Sequence, residues 1–162
     1  FNGSPTSVKL NTLVEEKKLD KKIVDKIWKD KQFFTMLVIN KCACFDEDKI
    51  KMHKSLMSKG IKLGCVTNSI RKTANLMLEK TGQSEFMNFL ITNEDVDNPK
   101  PNPEGYILAM EYFNILPNNT LIIEDSDKGY KAAQSSGAHV LRVQDASSVN
   151  LKNIETILSK IS

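Results

Sequence analysis

The sequence predicts an α/β fold with a parallel sheet, and three observations predict it. After Gly60, four short apolar runs alternate with helical stretches, which is the rhythm of strand and crossover helix. Polar residues that handle anions recur at the ends of those runs and not elsewhere along them. The first third of the chain has helical apolar spacing throughout and no strand signal.

In the front segment, Ser4 and Pro5 open a helix of about three turns, with Pro5 at its first position and Val8, Leu10, Leu13 and Val14 as its apolar stripe. Ile23, Val24, Ile27, Trp28, Phe34, Leu37 and Val38 place one long or broken helix over 20–40. Trp28 falls on that stripe and is expected in the core. Asp46 caps a third helix that runs to Lys59 and ends at Gly60 in a left-handed conformation. Strands follow at 61–66, 89–91, 121–123 and 139–143. Helices are expected at 70–81, 103–113 and 128–136. Ser69, Asn102 and Asp127 open them, and Gly82, Asn114 and Gly137 close them. A last helix covers 151–161. The division expected is residues 1–59 as a helical unit and 60–162 as the α/β unit.

At 162 residues, 40% hydrophobic and 27% charged, the composition is that of one globular unit with room for a small second lobe, and no apolar run is long enough to span a bilayer. No basic segment leads into an apolar stretch at the start, so a cytoplasmic location is expected, and a chain that opens on Phe1 is expected to be truncated. The net charge of +3 is uneven: residues 1–60 hold thirteen Lys against eight acids. Most of these lysines are read as a solvated surface, with steering of an anionic substrate as the other reading. Nucleic acid is not an expected partner, because zinc-ligand spacing and glycine-aromatic runs are both missing. Cys42, Cys44 and Cys65 give an odd count without zinc spacing and are expected as buried thiols. Asn2-Gly3-Ser4 and Asn118-Asn119-Thr120 match the glycosylation pattern by chance.

In an open α/β sheet, ligands bind beyond the carboxyl ends of the strands. Thr67-Asn68-Ser69 stands at the first such end and offers a hydroxyl and backbone amides to phosphate oxygens, although a strand-to-helix turn needs the same residues as a cap. Lys100, held between Pro99 and Pro101, supplies a positioned ammonium. Glu124 and Asp125 emerge together from the third strand, where a carboxylate pair suits Mg²⁺ with water and substrate oxygens completing the shell; Asp125 is the first choice as ligand. One of the two acids serving only as a helix cap is the other reading.

These motifs resemble the haloacid dehalogenase superfamily, in its β-phosphoglucomutase-like and sugar-phosphate phosphatase branch. Gly64-Cys65-Val66-Thr67-Asn68-Ser69 is similar to the second motif. Thr92 to Val96 with Lys100-Pro101-Asn102-Pro103-Glu104 is similar to the third, and Ile122 to Ser126 with Gly129 and Ala132-Ala133 to the fourth. Residues 1–59, with Pro5-Thr6 before Lys9-Leu10, resemble the tail end of the helical cap. The resemblance implies a Rossmann-like three-layer core and Mg²⁺-dependent phosphoryl transfer through an aspartyl-phosphate. A small phosphorylated metabolite such as a sugar phosphate is the implied substrate. Thr67 would bind the transferring phosphate, Lys100 would stabilise the intermediate, and Asp125 with Glu124 would serve the metal.

The departure is at the first motif. No Asp-x-Asp follows an apolar strand here, and Asp46-Glu47-Asp48 sits at a helix start. The nucleophile is therefore expected to be missing, together with the central strand between those ending at Thr67 and Glu124. Three outcomes are open for that gap: a segment outside these residues, direct pairing of the flanking strands, or a strand from another molecule with self-association through the unpaired edges. A non-catalytic module that keeps this fold is the competing functional reading.

Overall fold

A computed structural model describes residues 3–161. Three helices come first: α1 (Thr6–Glu15), α2 (Val24–Cys42), entered through a 3-10 turn at Lys21–Ile23, and α3 (Glu47–Ser58). Then follow β1 (Cys65–Val66), α4 (Arg71–Lys80), β2 (Leu90–Ile91), α5 (Glu104–Phe113), β3 (Leu121–Glu124), α6 (Asp127–Ser135), β4 (His139–Arg142) and α7 (Leu151–Ile161). The expected elements are all present, with shifted ends. Pro5 is the residue before α1 and not its first, and Asn2 of the first glycosylation match lies outside the described residues. Asp46 does cap α3, accepting from the Lys49 amide at 3.0 Å. Asn114 and Gly137 take positive φ at the ends of α5 and α6, as the sequence predicts.

All three expected openers are displaced: Asn102 stands one residue before the cap position of α5, Pro103, although its Oδ1 still accepts from the Glu104 amide at 3.0 Å. The cap of α6 is Ser126, whose Oγ accepts from the Gly129 amide at 3.0 Å, so Asp127 is the first helical residue. Both are cap-type residues, and the one-residue offset is not visible in the sequence. Ser69 does not open α4, which starts two residues later; the Glu94 carboxylate reaches across from the loop after β2 to accept from the Arg71 amide at 2.6 Å.

The sheet is in two halves. β1 pairs in parallel with β2 (Cys65↔Leu90, Val66↔Ile91), and β3 pairs in parallel with β4 from Leu121↔His139 to Glu124↔Arg142. No ladder joins β1 to β3 among the described residues, so the flanking strands do not close directly on each other. An apolar slot of about 560 Å³ separates them, lined by Val66, Met110, Phe113, Leu121, Ile123 and His53 among others. With one edge lacking a partner, β1 is two residues long where six were expected. Upstream of it, Leu63 still accepts from the Asn88 amide at 2.8 Å.

Side-chain alternation along β3 builds three layers. Ile122 points to α5 and α6 and packs with Tyr106, Ala132 and Ala133. Leu121 and Ile123 point the other way, onto Met52 and Leu56 of α3 and Ile154 of α7. Helix α3, which the sequence reading grouped with the front segment, thus shares a core with the C-terminal helix. Helices α1 and α2 lie toward α4 and the carboxyl ends of the strands. Cys42 and Cys44 are exposed and Cys65 is half-buried, so the thiols are not the buried set expected. The first two stand at and just past the end of α2, where no layer covers them. Among the described residues, no helix is long and apolar enough to cross a membrane.

Candidate functional site

At the carboxyl ends of β1 and β3 lies a cavity of about 480 Å³, and Thr67, Asn68, Ser69, Lys100, Glu124 and Asp125 all line it. Three groups of residues, 24 to 58 positions apart in the sequence, meet because both half-sheets end at the same pole.

Lys100 is the centre of the polar network. Its ammonium donates to the Val66 carbonyl at 3.0 Å and to the Glu124 carboxylate, tying the end of β1 to the end of β3. Both side chains are about nine-tenths buried, at 10% and 8% exposure. Beyond these two acceptors, the face of the Tyr106 ring lies 4.5 Å from the same ammonium. The loop carrying Lys100 is held by Asn68, whose Oδ1 accepts from the Lys100 amide at 3.2 Å and whose Nδ2 donates to the carbonyls of Lys100, at 3.1 Å, and Gly3, at 2.6 Å. Asn68 is therefore occupied with positioning. The Thr67 hydroxyl accepts from the Ser69 amide at 3.1 Å, and its own proton remains free to face an anion.

Glu124 receives a second donor that the sequence reading missed, the Tyr106 hydroxyl. Burial works to raise the Glu124 pKa, but the adjacent Lys100 ammonium and the hydrogen bonds from Lys100 and Tyr106 prevail and hold the carboxyl below its usual range. Burial, then the charge on Glu124, pushes the Tyr106 phenol far up, so it stays a donor. The Ser126 hydroxyl lies 3.3 Å from the other Glu124 oxygen, and a Cβ on Gly129 would collide with the same carboxylate. Glycine is needed there because the first turn of α6 passes directly against Glu124.

The two acids consequently differ. Glu124 is occupied by Lys100 and Tyr106, whereas Asp125 is exposed, lines the cavity and makes no side-chain hydrogen bond or ion pair among the described residues. No cluster of three acidic, His or Cys side chains forms a protein cage for a metal among those residues. The fit is to Mg²⁺ held by the Asp125 carboxylate, with water and phosphate oxygens supplying the rest.

The third predicted motif is a staple. Thr92, 1% exposed, donates through its amide and hydroxyl to Asp95 at 2.7 and 2.6 Å, and Arg71 bridges to the same carboxylate at 2.5 Å. This fixes the loop after β2 against the start of α4. Glu104 accepts from the amides of Asp97 and Asn98 at 2.7 and 2.9 Å and so fixes the segment leading to Lys100.

The opposite wall of the cavity comes from the front helices: Lys9 of α1, and Trp28, Lys31 and Gln32 of α2. Trp28, expected in the core, is half-buried on that wall. Gln32 is buried, one helical turn beyond Trp28 on the stripe that also carries Ile39; a polar residue at a core-facing position was the available signal. Lys9 and Lys31 carried no signal among thirteen lysines.

The family model for haloacid dehalogenase-like hydrolases matches residues 14–143. The chain is 34% identical over 80 residues to a phosphorylated carbohydrates phosphatase of Thermotoga maritima, covering 49% of this chain and 37% of that protein. It is 32% identical over 90 residues to the pyrophosphatase PpaX of Oceanobacillus iheyensis, covering 56% of this chain and 42% of that protein. The matches thus span less than half the length of these curated relatives. Among solved structures, the β-phosphoglucomutase of Clostridium difficile has the same fold, with a TM-score of 0.78 at 18% identity over 98% of this chain and 77% of the other. With its family model covering 130 of 162 residues (14 through 143), the chain belongs to the haloacid dehalogenase-like hydrolases.

Proposed function

We propose that these residues form the phosphate-binding end and one helical wall of an enzyme that transfers a phosphoryl group from a small phosphorylated metabolite, as a phosphatase or a phosphomutase. The observation that carries this reading is the Lys100 ammonium, buried at the strand ends beside the Tyr106 ring and lining a cavity shared with Thr67 and Asp125. Thr67 and Lys100 bind the phosphate oxygens, and Asn68 keeps the Lys100 loop in place. Asp125 holds Mg²⁺, which when bound neutralises phosphate charge. Glu124 is read as the positioning residue for Lys100 and not as a second metal ligand.

The chemistry proposed is that of an aspartyl-phosphate. An aspartate carboxylate displaces the substrate alcohol from phosphorus, and water or a second hydroxyl then takes the phosphoryl group. None of the aspartates lining the cavity is given that role, and the slot between β1 and β3, which shares Val66 and Ile123 with the cavity, is where a strand carrying it would lie. Helices α1 and α2 act as the cap over the pocket, the protein works in the cytoplasm, and the open edges of β1 and β3 promote self-association when nothing fills the slot.

The test is release or transfer of phosphate from a panel of phosphomonoesters with Mg²⁺, using the longest natural form of the protein and residues 1–162 alone. Turnover is expected only in the longer form. Asp125→Asn should lower kcat by about 100-fold or more with an unchanged melting temperature, because Asp125 has no structural partner. Near-wild-type turnover in that variant overturns the site, and turnover by residues 1–162 alone overturns the external nucleophile. Absence of turnover in every form supports the non-catalytic reading.

A further inference from the structure

Lys100 ends in an ammonium on a flexible four-carbon stem, so its place at the strand ends has to be fixed by its surroundings. One side chain touches both members of the buried pair. Tyr106, 6% exposed and on the first turn of α5, turns its ring face to the Lys100 ammonium at 4.5 Å, and its hydroxyl donates to Glu124. The Lys100 ammonium and the Tyr106 hydroxyl converge on the same carboxylate oxygen, Oε1. A carboxylate oxygen offers about two acceptor sites, and these two donors fill them. At Oε2 stand the Ser126 hydroxyl, 3.3 Å away, and the backbone of Gly129. Glu124 is thus held at both oxygens, and any rotation breaks its bonds to Lys100 and Tyr106 together. Tyr106 is fixed in turn by its packing on Ile122 and on Ala132 and Ala133, both wholly buried. It lines the slot between the half-sheets and not the strand-end cavity, whereas Lys100 lines the cavity, so Tyr106 reaches a ligand only through Lys100.

We infer that Tyr106 is a positioning residue for phosphoryl transfer: its hydroxyl fixes Glu124 and its ring flanks the ammonium, so that Lys100 stays where the transferring phosphate binds. The inference rests on the phosphate reading of Lys100. Hydroxyl and ring have separable tasks. Tyr106→Phe keeps the ring and its packing but frees one acceptor site on Oε1, and the loosened carboxylate draws the ammonium away from the cavity. Tyr106→Leu also takes away the ring face. Charge placed on a transferring phosphoryl group matters most in the transition state, so the loss should fall on kcat more than on KM.

The experiment uses the longest natural form of the protein and two readouts. The first is the NMR signal of the Lys100 ammonium in lysine-labelled protein, assigned by its loss in Lys100→Met. A group over a ring face resonates upfield, and an ammonium held by fixed acceptors exchanges slowly. The wild-type signal should be sharp and upfield of the solvated lysines; Tyr106→Phe should broaden it, and Tyr106→Leu should return it to the solvated position. The second readout is turnover of a phosphomonoester with Mg²⁺. Tyr106→Phe should lower kcat about tenfold or more, the worth of one hydrogen bond to a charged group, with KM within about threefold. A merely structural role would lower activity only in proportion to the folded fraction, which a melting curve measures, and would leave the Lys100 signal sharp. Wild-type kcat in Tyr106→Phe overturns the inference, as does a Lys100 signal that neither variant alters. If the signal responds but Lys100→Met keeps wild-type turnover and inorganic phosphate binding, the phosphate reading of Lys100 falls and the positioning role with it. If no form turns over while inorganic phosphate still binds in dependence on Lys100, the positioning role falls and the anion site stands.

Discussion

Removing the Glu124 carboxylate should destabilise the protein through what it leaves behind. In Glu124→Ala the Lys100 ammonium, 10% exposed, keeps the Val66 carbonyl and the Tyr106 ring face but has no counter-charge, and the buried Tyr106 hydroxyl loses its acceptor. Breaking one side of a buried pair costs about 3–5 kcal/mol. For a chain of 162 residues, at roughly 2–4 °C per kcal/mol, that lowers the melting temperature by roughly 6–20 °C. Urea unfolding at pH 7, followed by circular dichroism, measures the loss. Glu124→Ala combined with Lys100→Met should be less destabilised than Glu124→Ala alone, because no charge is left buried. The sign with pH follows from the depressed Glu124 pKa: its contribution is complete above the unfolded-state value of about 4.3 and is lost as pH falls through the lower folded value. Glu124→Gln should therefore flatten the acid limb of the stability curve. A cost below about 1 kcal/mol for Glu124→Ala, or strict additivity in the double variant, refutes the buried-pair account.

Gly129→Ala places a methyl against the Glu124 carboxylate and should cost more than about 1 kcal/mol while weakening phosphate binding together with stability; equilibrium unfolding and calorimetry check both. Ser126→Ala removes the cap of α6 and should cost about 1 kcal/mol, read by urea unfolding, with little effect on ligand affinity. His53 is buried, and burial followed by the charge of Lys49 outweighs Asp46 to lower its pKa. Its stabilising contribution is thus present above the unfolded-state value of about 6.5 and lost as pH falls through the folded value. His53→Phe should remove that dependence from a pH series of melting temperatures between 7 and 5.

Much of this site was legible because its residues stand where strands stop. Thr67, Lys100, Glu124 and Asp125 each follow an apolar run or a proline-framed loop, and a parallel sheet gathers such positions at one pole. The roles within the set were less legible. Glu124 and Asp125 are adjacent and chemically alike, and only the pleat, which turns Glu124 toward Tyr106 and leaves Asp125 exposed, tells them apart. Tyr106 reads as an ordinary helix aromatic, and its hydroxyl partner lies 18 positions away. Strand length was overestimated at β1, because apolar runs report burial while a ladder also needs a neighbour on each side. The cavity wall from α1 and α2 was the least legible part, since its lysines belong to a lysine-rich surface and only their facing the strand ends distinguishes them.

One ammonium, that of Lys100, is the polar tie between the ends of β1 and β3. The group proposed to meet the phosphate is also a fastener between the two half-sheets, so on that reading recognition and assembly share one atom. A ligand bound at Lys100 would act on both half-sheets at once, and occupancy of the pocket should stiffen the molecule as a whole. A lost function in a Lys100 variant would for the same reason report on architecture as much as on chemistry, which makes the unpartnered Asp125 the cleaner place to ask what the site does.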